Sequence, residues 1–221
     1  MSRPLVLIGA GEFAQIACEY FEHDSDYDVA AFGVERDYLA QPRLAGRPVV
    51  ACETLETDYP PGDVDVFVAI PSSQLNRLRT RLYRELKRRG YRFATYVSTR
   101  AFVWRNAEVG ENSFIFEGNV IQPFVRVGNN CILWSGNHVG HRTVVHDNVF
   151  IASHAVVSGY CEIGANSFVG VNATFNDHVK VAPDNVIGAG ALVTRDTEPG
   201  RIYVGSPARA VPDKSSFDVK L

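Results

Sequence analysis

The sequence lacks long apolar runs, paired cysteines and an excess of charge, and each absence excludes a class of protein. No apolar stretch approaches the roughly 20 residues of a membrane-spanning helix. The start of the chain shows no signal-peptide layout, which predicts a cytoplasmic protein. The net charge is −3 and favours neither a nucleic acid nor an anionic membrane as partner. The cysteines have no CxxC spacing, so we expect reduced, buried thiols at Cys18, Cys52, Cys131 and Cys161.

Positive charge is concentrated in one segment, from Arg77 to Arg89. Leucines recur there at helical spacing, at Leu75, Leu78, Leu82 and Leu86. The pattern predicts an amphipathic surface helix with a solvated basic face, which makes a nucleic-acid interface the poorer interpretation.

The dominant pattern is a six-residue repeat. From Val103 an apolar residue recurs at every sixth position through Val193, sixteen times without a break. Neither a helix nor a single strand has this period. The repeat instead predicts a coil with three flat faces, one inward side chain per hexad and eighteen residues per turn. Sixteen hexads therefore form slightly more than five coils.

Two residue types mark the predicted corners. Glycine often follows the apolar anchor, where a corner or a close backbone approach suits a residue without Cβ. Asn112, Asn130, Asn148 and Asn166 are spaced eighteen apart, so we expect their side chains to stack in one column.

The first 97 residues read as an α/β domain. Segments 4–9, 29–34 and 64–70 are predicted strands, with a helix to about Tyr20 and the basic helix after the third strand. The turn Gly9-x-Gly11-x-x-Ala14 places backbone N–H groups at a helix N-terminus, where a pyrophosphate can bind. A tight turn without a ligand is the alternative. The domain is too short for a dinucleotide dehydrogenase, and one nucleoside diphosphate fits it better.

Both halves together resemble the hexapeptide-repeat sugar acetyltransferases, namely the sialic acid O-acetyltransferases and the N-acetyltransferases of nucleotide-linked 4-amino sugars. The resemblance rests on IGAGEFA, FVAIP…NRLR, the hexapeptide run, GAGALV and the terminal VGSPAR. It implies a nucleotide-sugar domain at 1–97, a left-handed parallel β-helix at 98–210 and a tail at 211–221. It also implies acetyl-CoA as cosubstrate, no metal, a homotrimer with active sites between neighbouring β-helices, and a role in bacterial surface-glycan synthesis.

The resemblance also implies site residues. For the nucleotide sugar they are Gly9, Ala10, Gly11, Glu12, Glu35, Arg36 and Pro71. Pro71 stands where the family usually has glycine, and Glu35-Arg36 replaces an acidic pair. The identity of the nucleobase in the nucleotide sugar is therefore left open. For CoA they are Phe150, Val171, Gly188, Ala189 and Arg209. Phe150 takes the place of a histidine of some relatives, and Arg209 is either a phosphate ligand or a solvated residue.

Five of the six histidines lie between 138 and 178, and none is an anchor. Imidazole, with a pKa near 6.5, suits the base of an acetyl transfer. His141 aligns with the catalytic base of the family, with His138 and His154 in reserve. The family commonly follows this histidine with a carboxylate, but this chain has Arg142. Asp147 and Asp177 are therefore candidates to orient His141.

Three alternatives compete with N-acetylation of a nucleotide-linked amino sugar. One is O-acetylation of a sugar such as sialic acid, and another is an inactive sugar-nucleotide-binding trimer, which Arg142 keeps open. A zinc hydrolyase related to gamma-class carbonic anhydrases is the third. His141 and His146 copy part of that pattern, but Arg105 stands where a third ligand should lie.

Overall fold

A six-stranded sheet forms the first part of the chain in the computed structural model, which describes residues 3–220. Its strands, in chain order, are β1 (Arg3–Ile8), β2 (Tyr27–Val34), β3 (Arg43–Leu44), β4 (Arg47–Ala51), β5 (Asp65–Val68) and β6 (Arg92–Phe93). The helices are α1 (Glu12–His23), α2 (Leu55–Asp58) and α3 (Arg77–Arg88). None of the helices in residues 3–220 is long and apolar enough to cross a membrane.

The sheet order is β3-β4-β2-β1-β5-β6, and every pair is parallel except β3 with β4. The three predicted strands are β2, β1 and β5 at its centre. The short edge strands β3, β4 and β6 were not predicted, because Pro48 and the two-residue lengths of β3 and β6 leave little periodic signal. The expected small parallel sheet is therefore mixed at one edge.

A parallel β-helix follows, with the three faces that the hexads predicted and the left-handed winding that the resemblance implied. Its seventeen two-residue strands are β7 (Tyr96–Val97), β8 (Phe102–Val103), β9 (Glu108–Val109), β10 (Phe114–Ile115), β11 (Val120–Ile121), β12 (Arg126–Val127), β13 (Ile132–Leu133), β14 (His138–Val139), β15 (Val144–Val145), β16 (Phe150–Ile151), β17 (Val156–Val157), β18 (Glu162–Ile163), β19 (Phe168–Val169), β20 (Thr174–Phe175), β21 (Lys180–Val181), β22 (Val186–Ile187) and β23 (Leu192–Val193). Every predicted anchor is the second residue of one of these strands.

The strands stack into three faces, each pairing strand n with strand n+3. We call them face D (β7 to β22), face E (β8 to β23) and face F (β9 to β21). Face D is extended by β24 (Ile202–Val204) and an antiparallel β25 (Arg209–Ala210). The β-helix already begins at β7, which pairs with β10, so its first hexad falls just before the predicted start at residue 98.

The prism is filled by the anchors and by a second inward position two residues before each anchor. That position holds small residues, among them Ala155, Cys161 and Ala173, which are fully buried beside the anchors. Glycine after an anchor allows the next coil to approach. A Cβ on Gly140 would lie 2.5 Å from the carbonyl carbon of Ser158, and one on Gly164 would lie 2.5 Å from the nitrogen of Pro183.

The predicted asparagine column exists and continues through Asp184. The side-chain amides donate upward in turn: Asn112 to Asn130 (2.6 Å), Asn130 to Asn148 (2.8 Å), Asn148 to Asn166 (3.0 Å) and Asn166 to Asp184 (3.1 Å). All five residues have φ between 53° and 64°, the left-handed conformation that asparagine and aspartate tolerate. The backbone N–H of Val68, at the end of β5, donates to Asn112 (2.8 Å) and joins the first domain to this column.

Face D packs against helix α1 through a layer of aromatic rings. The rings that meet are Phe13, Tyr20, Phe21 and Phe67 of the first domain and Tyr96, Phe114, Phe116 and Trp134 of the β-helix. Beside it, the Asp24 carboxylate accepts hydrogen bonds from the hydroxyls of Thr99 (2.5 Å) and Tyr96 (2.5 Å). These bonds lower the pKa of Asp24 to about 2.

The prediction that the basic face of α3 is solvated is wrong at one residue. Arg79 is fully buried, and its guanidinium donates to the carbonyls of Ile70, Pro71, Asn130 and Asn148. The helix lies on the asparagine corner, so the residue between two solvated arginines points into the domain junction. Desolvation lowers the pKa of Arg79 to about 10, which leaves it charged at neutral pH.

The segment after residue 210 also packs against the first domain. The ring of Phe217 lies 4.0 Å from the Arg77 guanidinium carbon, and Val219 packs beside Leu75. The predicted tail at 211–221 is therefore an attached segment as far as residue 220.

Candidate active site

The histidines predicted as catalytic occupy separate parts of the β-helix surface. His138 lies on face E in β14 and is half-buried, while His141 and His154 are exposed at two different corners. His154 shares its corner column with Gly136, Asn172 and Gly190, and His141 lies at the far end of the face E strand. No hydrogen bond or ion pair among residues 3–220 joins the three.

His141 has the most developed surroundings. Its backbone N–H donates to Oε1 of Gln122 (2.8 Å), and the same oxygen lies 3.3 Å from the ring Nδ1. The ring packs over Gly159, where a Cβ would lie 2.6 Å from Cε1. It also meets the Tyr160 ring in a T-shaped contact, with 5.1 Å between centroids. Nε2 makes no hydrogen bond to any residue in 3–220, so it is available to a substrate proton.

The two carboxylates predicted to orient His141 instead accept hydrogen bonds from backbone N–H groups. Asp147 accepts from the backbone N–H of Asn129 (2.8 Å) at the asparagine corner, on the other side of face F. Asp177 accepts from the N–H of Gly159 (2.8 Å) and so supports the residue beneath the ring. The partner of His141 is Gln122, which the sequence reasoning missed. Gln122 is nineteen residues upstream, one coil below, and the eighteen-residue stacking could have indicated it.

Arg142 points its charge at an aromatic ring. Its guanidinium carbon lies 4.4 Å from the centroid of Phe124, a cation–π contact. Phe124, Arg142, Tyr160 and His178 form one corner column, all with φ between 57° and 63°.

The predicted nucleotide loop borders a cavity of about 340 Å³. It is lined by Ile8, Gly9, Ala10, Gly11, Gly33, Val34, Glu35, Tyr38, Cys52, Ile70, Leu78 and Leu82. Four of the seven predicted residues, Gly9, Ala10, Gly11 and Glu35, are in this lining. Glu12, Arg36 and Pro71 are not, and the carbonyl of Pro71 is bound by Arg79 instead.

The glycines of this loop are explained by its geometry. Gly9 has φ of +128°, and a Cβ there would lie 2.8 Å from the carbonyl oxygen of Ala69. Gly11 caps α1 without a side chain and faces open space, so the first amides of the helix can meet an anion. At the other side, Arg81 binds the Glu35 carboxylate through two hydrogen bonds (2.9 and 2.8 Å). Tyr38, missed from the sequence, is 72% exposed at the rim.

The residues predicted to contact CoA have different exposures. Val171 and Ala189 are exposed one coil apart, at the corner of His154, with Gly188 half-buried beside them. Arg209 is exposed in β25. Phe150 does not fit its predicted contact, because it is 7% exposed, stacked on Phe168 and packed within the aromatic layer beneath the first domain.

The thiols are unsuited to nucleophilic chemistry. All four cysteines are free and buried, as expected. Burial raises the pKa of Cys52 and of Cys131 to about 12, and raises those of Cys18 and Cys161 as well, so all four are thiols at neutral pH. Within residues 3–220 no group of three or more His, Cys, Asp or Glu side chains is arranged to hold a metal ion.

A family model described as bacterial transferase hexapeptide (six repeats) matches residues 106–141. Among solved structures, a histidine-to-asparagine variant of perosamine N-acetyltransferase from Caulobacter crescentus, in complex with CoA and GDP-perosamine, is 27% identical. It covers 95% of this chain and 97% of its own, with a TM-score of 0.85. The chain resembles the hexapeptide-repeat sugar acetyltransferases over almost its whole length.

Two further structures extend this similarity. The acetyltransferase domain of PglB from Neisseria gonorrhoeae is 25% identical over 95% of this chain and 100% of its own, with a TM-score of 0.84. WeeI from Acinetobacter baumannii, at 23% identity, 95% and 100% coverage and a TM-score of 0.74, shares the fold. A search of curated proteins finds no match.

Proposed function

We propose that this protein transfers an acetyl group from acetyl-CoA to the amino group of a nucleotide-linked sugar. The observation that carries the proposal is the free Nε2 of His141 on a fold that matches, over 95% of the chain, an N-acetyltransferase solved with CoA and GDP-perosamine. The proposed setting is the cytoplasmic synthesis of a bacterial surface glycan.

The chemistry needs one base. The sugar amine attacks the thioester carbonyl, the carbon–sulfur bond breaks, and CoA leaves as the thiolate. Nε2 of His141 removes the proton from the attacking nitrogen and can return it to the thiolate, so that the products are an amide and CoA thiol. Because the four cysteines are buried thiols, transfer proceeds directly, without an acyl-cysteine intermediate.

The N-terminal cavity is the proposed nucleotide site. Its mostly apolar lining suits a nucleoside, and the free amides at the start of α1 suit the diphosphate. We assign contact with the nucleobase to Glu35 and Tyr38, which line the same cavity. The Arg81 ion pair holds the Glu35 carboxylate in one orientation.

We also propose a homotrimer. His141 and the proposed CoA-binding pair Val171 and Ala189 occupy two different corners of one prism, so a second copy can bring both sets to one thioester. Large apolar side chains are also exposed on face E and just after its first strand. Their exposed fractions are 52% for Phe102, 41% for Trp104 and 41% for Val156. Exposed apolar area of this kind is typical of an interface.

The test is a thiol-release assay with acetyl-CoA against UDP-, GDP- and dTDP-linked 4-amino sugars, with products identified by mass. We expect turnover with at least one acceptor and no zinc requirement. The assay also compares two variants, His141→Asn and its matched control His146→Asn. His146 is an exposed histidine on face F, so the control variant should retain full activity. Acetyl transfer to a hydroxyl only, or no acetyl-CoA binding by calorimetry, would contradict the proposal.

A further inference from the structure

Among residues 3–220, Gln122 is the one side chain that makes hydrogen bonds to His141. It follows β11 on face E, and its Oε1 receives the backbone N–H of His141 at 2.8 Å while lying 3.3 Å from Nδ1. The glutamine is half-buried and the histidine is exposed, so the amide is the less solvated of the two partners.

This double contact determines where the imidazole proton lies. A backbone N–H can only donate, so the Gln122 atom that it meets is the carbonyl oxygen and not the amide nitrogen. That oxygen can only accept, so Nδ1 must carry a hydrogen to bond with it. In the neutral ring Nε2 then holds the lone pair, as a base requires.

The charged and titratable groups around the ring do not provide this function. Arg142 lies over Phe124, and Asp177 is bound to the backbone of Gly159. Tyr160 presents its ring to His141 and stacks on His178 at 4.9 Å, so these two meet through their rings. Within residues 3–220, no carboxylate makes a hydrogen bond or ion pair with His141.

We propose that Gln122 is a positioning residue that fixes the Nδ1–H tautomer of His141, in the role that a carboxylate fills in a base dyad. The inference rests on the proposed function of His141. A neutral amide orients the ring without stabilising its protonated form as a carboxylate would.

Two substitutions test the kinetics. Gln122→Met keeps the length and removes the acceptor, and we expect kcat to fall about 10–100-fold with little change in KM for acetyl-CoA. Gln122→Glu restores an acceptor and adds a charge, so kcat at pH 8 should recover. The acidic limb of its kcat–pH profile should also move upward by about one unit. Asn176→Leu, at the equivalent position three coils on, is the control and should match the unsubstituted protein.

A second measurement does not depend on turnover. With ¹⁵N-histidine labelling at pH 9, and His141→Asn to assign the signal, His141 should show a protonated Nδ1, and Gln122→Met should shift it toward the Nε2–H form. An Nε2–H tautomer in the unsubstituted protein, or an unchanged kcat in Gln122→Met, would overturn the proposal. Absence of any acetyl transfer would refute the proposed function, while the tautomer would still be read from the spectrum.

Discussion

Replacing Arg79 should destabilise the protein more than any other arginine substitution on α3. Arg79→Met keeps the apolar stem but leaves the carbonyls of Ile70, Pro71, Asn130 and Asn148 without their donor. Three of the four contacts are 3.2–3.3 Å long, so each is weaker than a short charged hydrogen bond. A loss of about 1 kcal/mol for each gives roughly 3–5 kcal/mol in total.

Thermal and urea unfolding measure this loss. For a chain of this size, 3–5 kcal/mol corresponds to a fall in Tm of roughly 6–20 °C. Arg84→Met, on the exposed face of the same helix, is the control and should change stability by less than about 0.5 kcal/mol. If Arg79→Met unfolds within about 1 kcal/mol of the unsubstituted protein, the buried guanidinium does not join the two domains as described.

Three further outcomes are expected. Asn130→Ala should lower the unfolding free energy by about 2–4 kcal/mol, because it breaks two rungs of the column and places alanine at φ 58°. Gly9→Ala should weaken nucleotide-sugar binding in calorimetry, since its Cβ would displace the Ala69 carbonyl. The pKa of Asp24 is lowered on folding, so its stabilisation is present above pH 4 and lost as pH falls towards 2. The stability gap between Asp24→Asn and the unsubstituted protein should therefore close across that window in acid unfolding.

Much of the fold could be predicted because the geometry of a β-helix produces a regular repeat in the sequence. Each hexad repeats the same local environment, so one inward residue in six is visible without tertiary information. The asparagine spacing worked for the same reason, since residues eighteen apart are neighbours. The edge strands of the first sheet carry no such repetition, and β3 and β6 are defined by pairing alone.

The site was less predictable because its contacts cross between coils and between domains. The exposure of Phe150 depends on the first domain covering face D, and the burial of Arg79 depends on the same docking. From the sequence we predicted that His141 is exposed, and we expected Asp147 or Asp177 to orient its ring. The structure instead places Asp147 at another corner and the Gln122 carbonyl oxygen beside Nδ1 of the ring.

The most direct test of the account is the turnover of His141→Asn with acetyl-CoA and the best nucleotide-linked amino sugar. Asparagine fills the position but cannot accept the amine proton near neutral pH, so kcat should fall by about 10²-fold or more. Binding of CoA by calorimetry should be nearly unchanged. A kcat close to that of the unsubstituted protein would show that His141 is not the base, and the proposed mechanism would then be wrong.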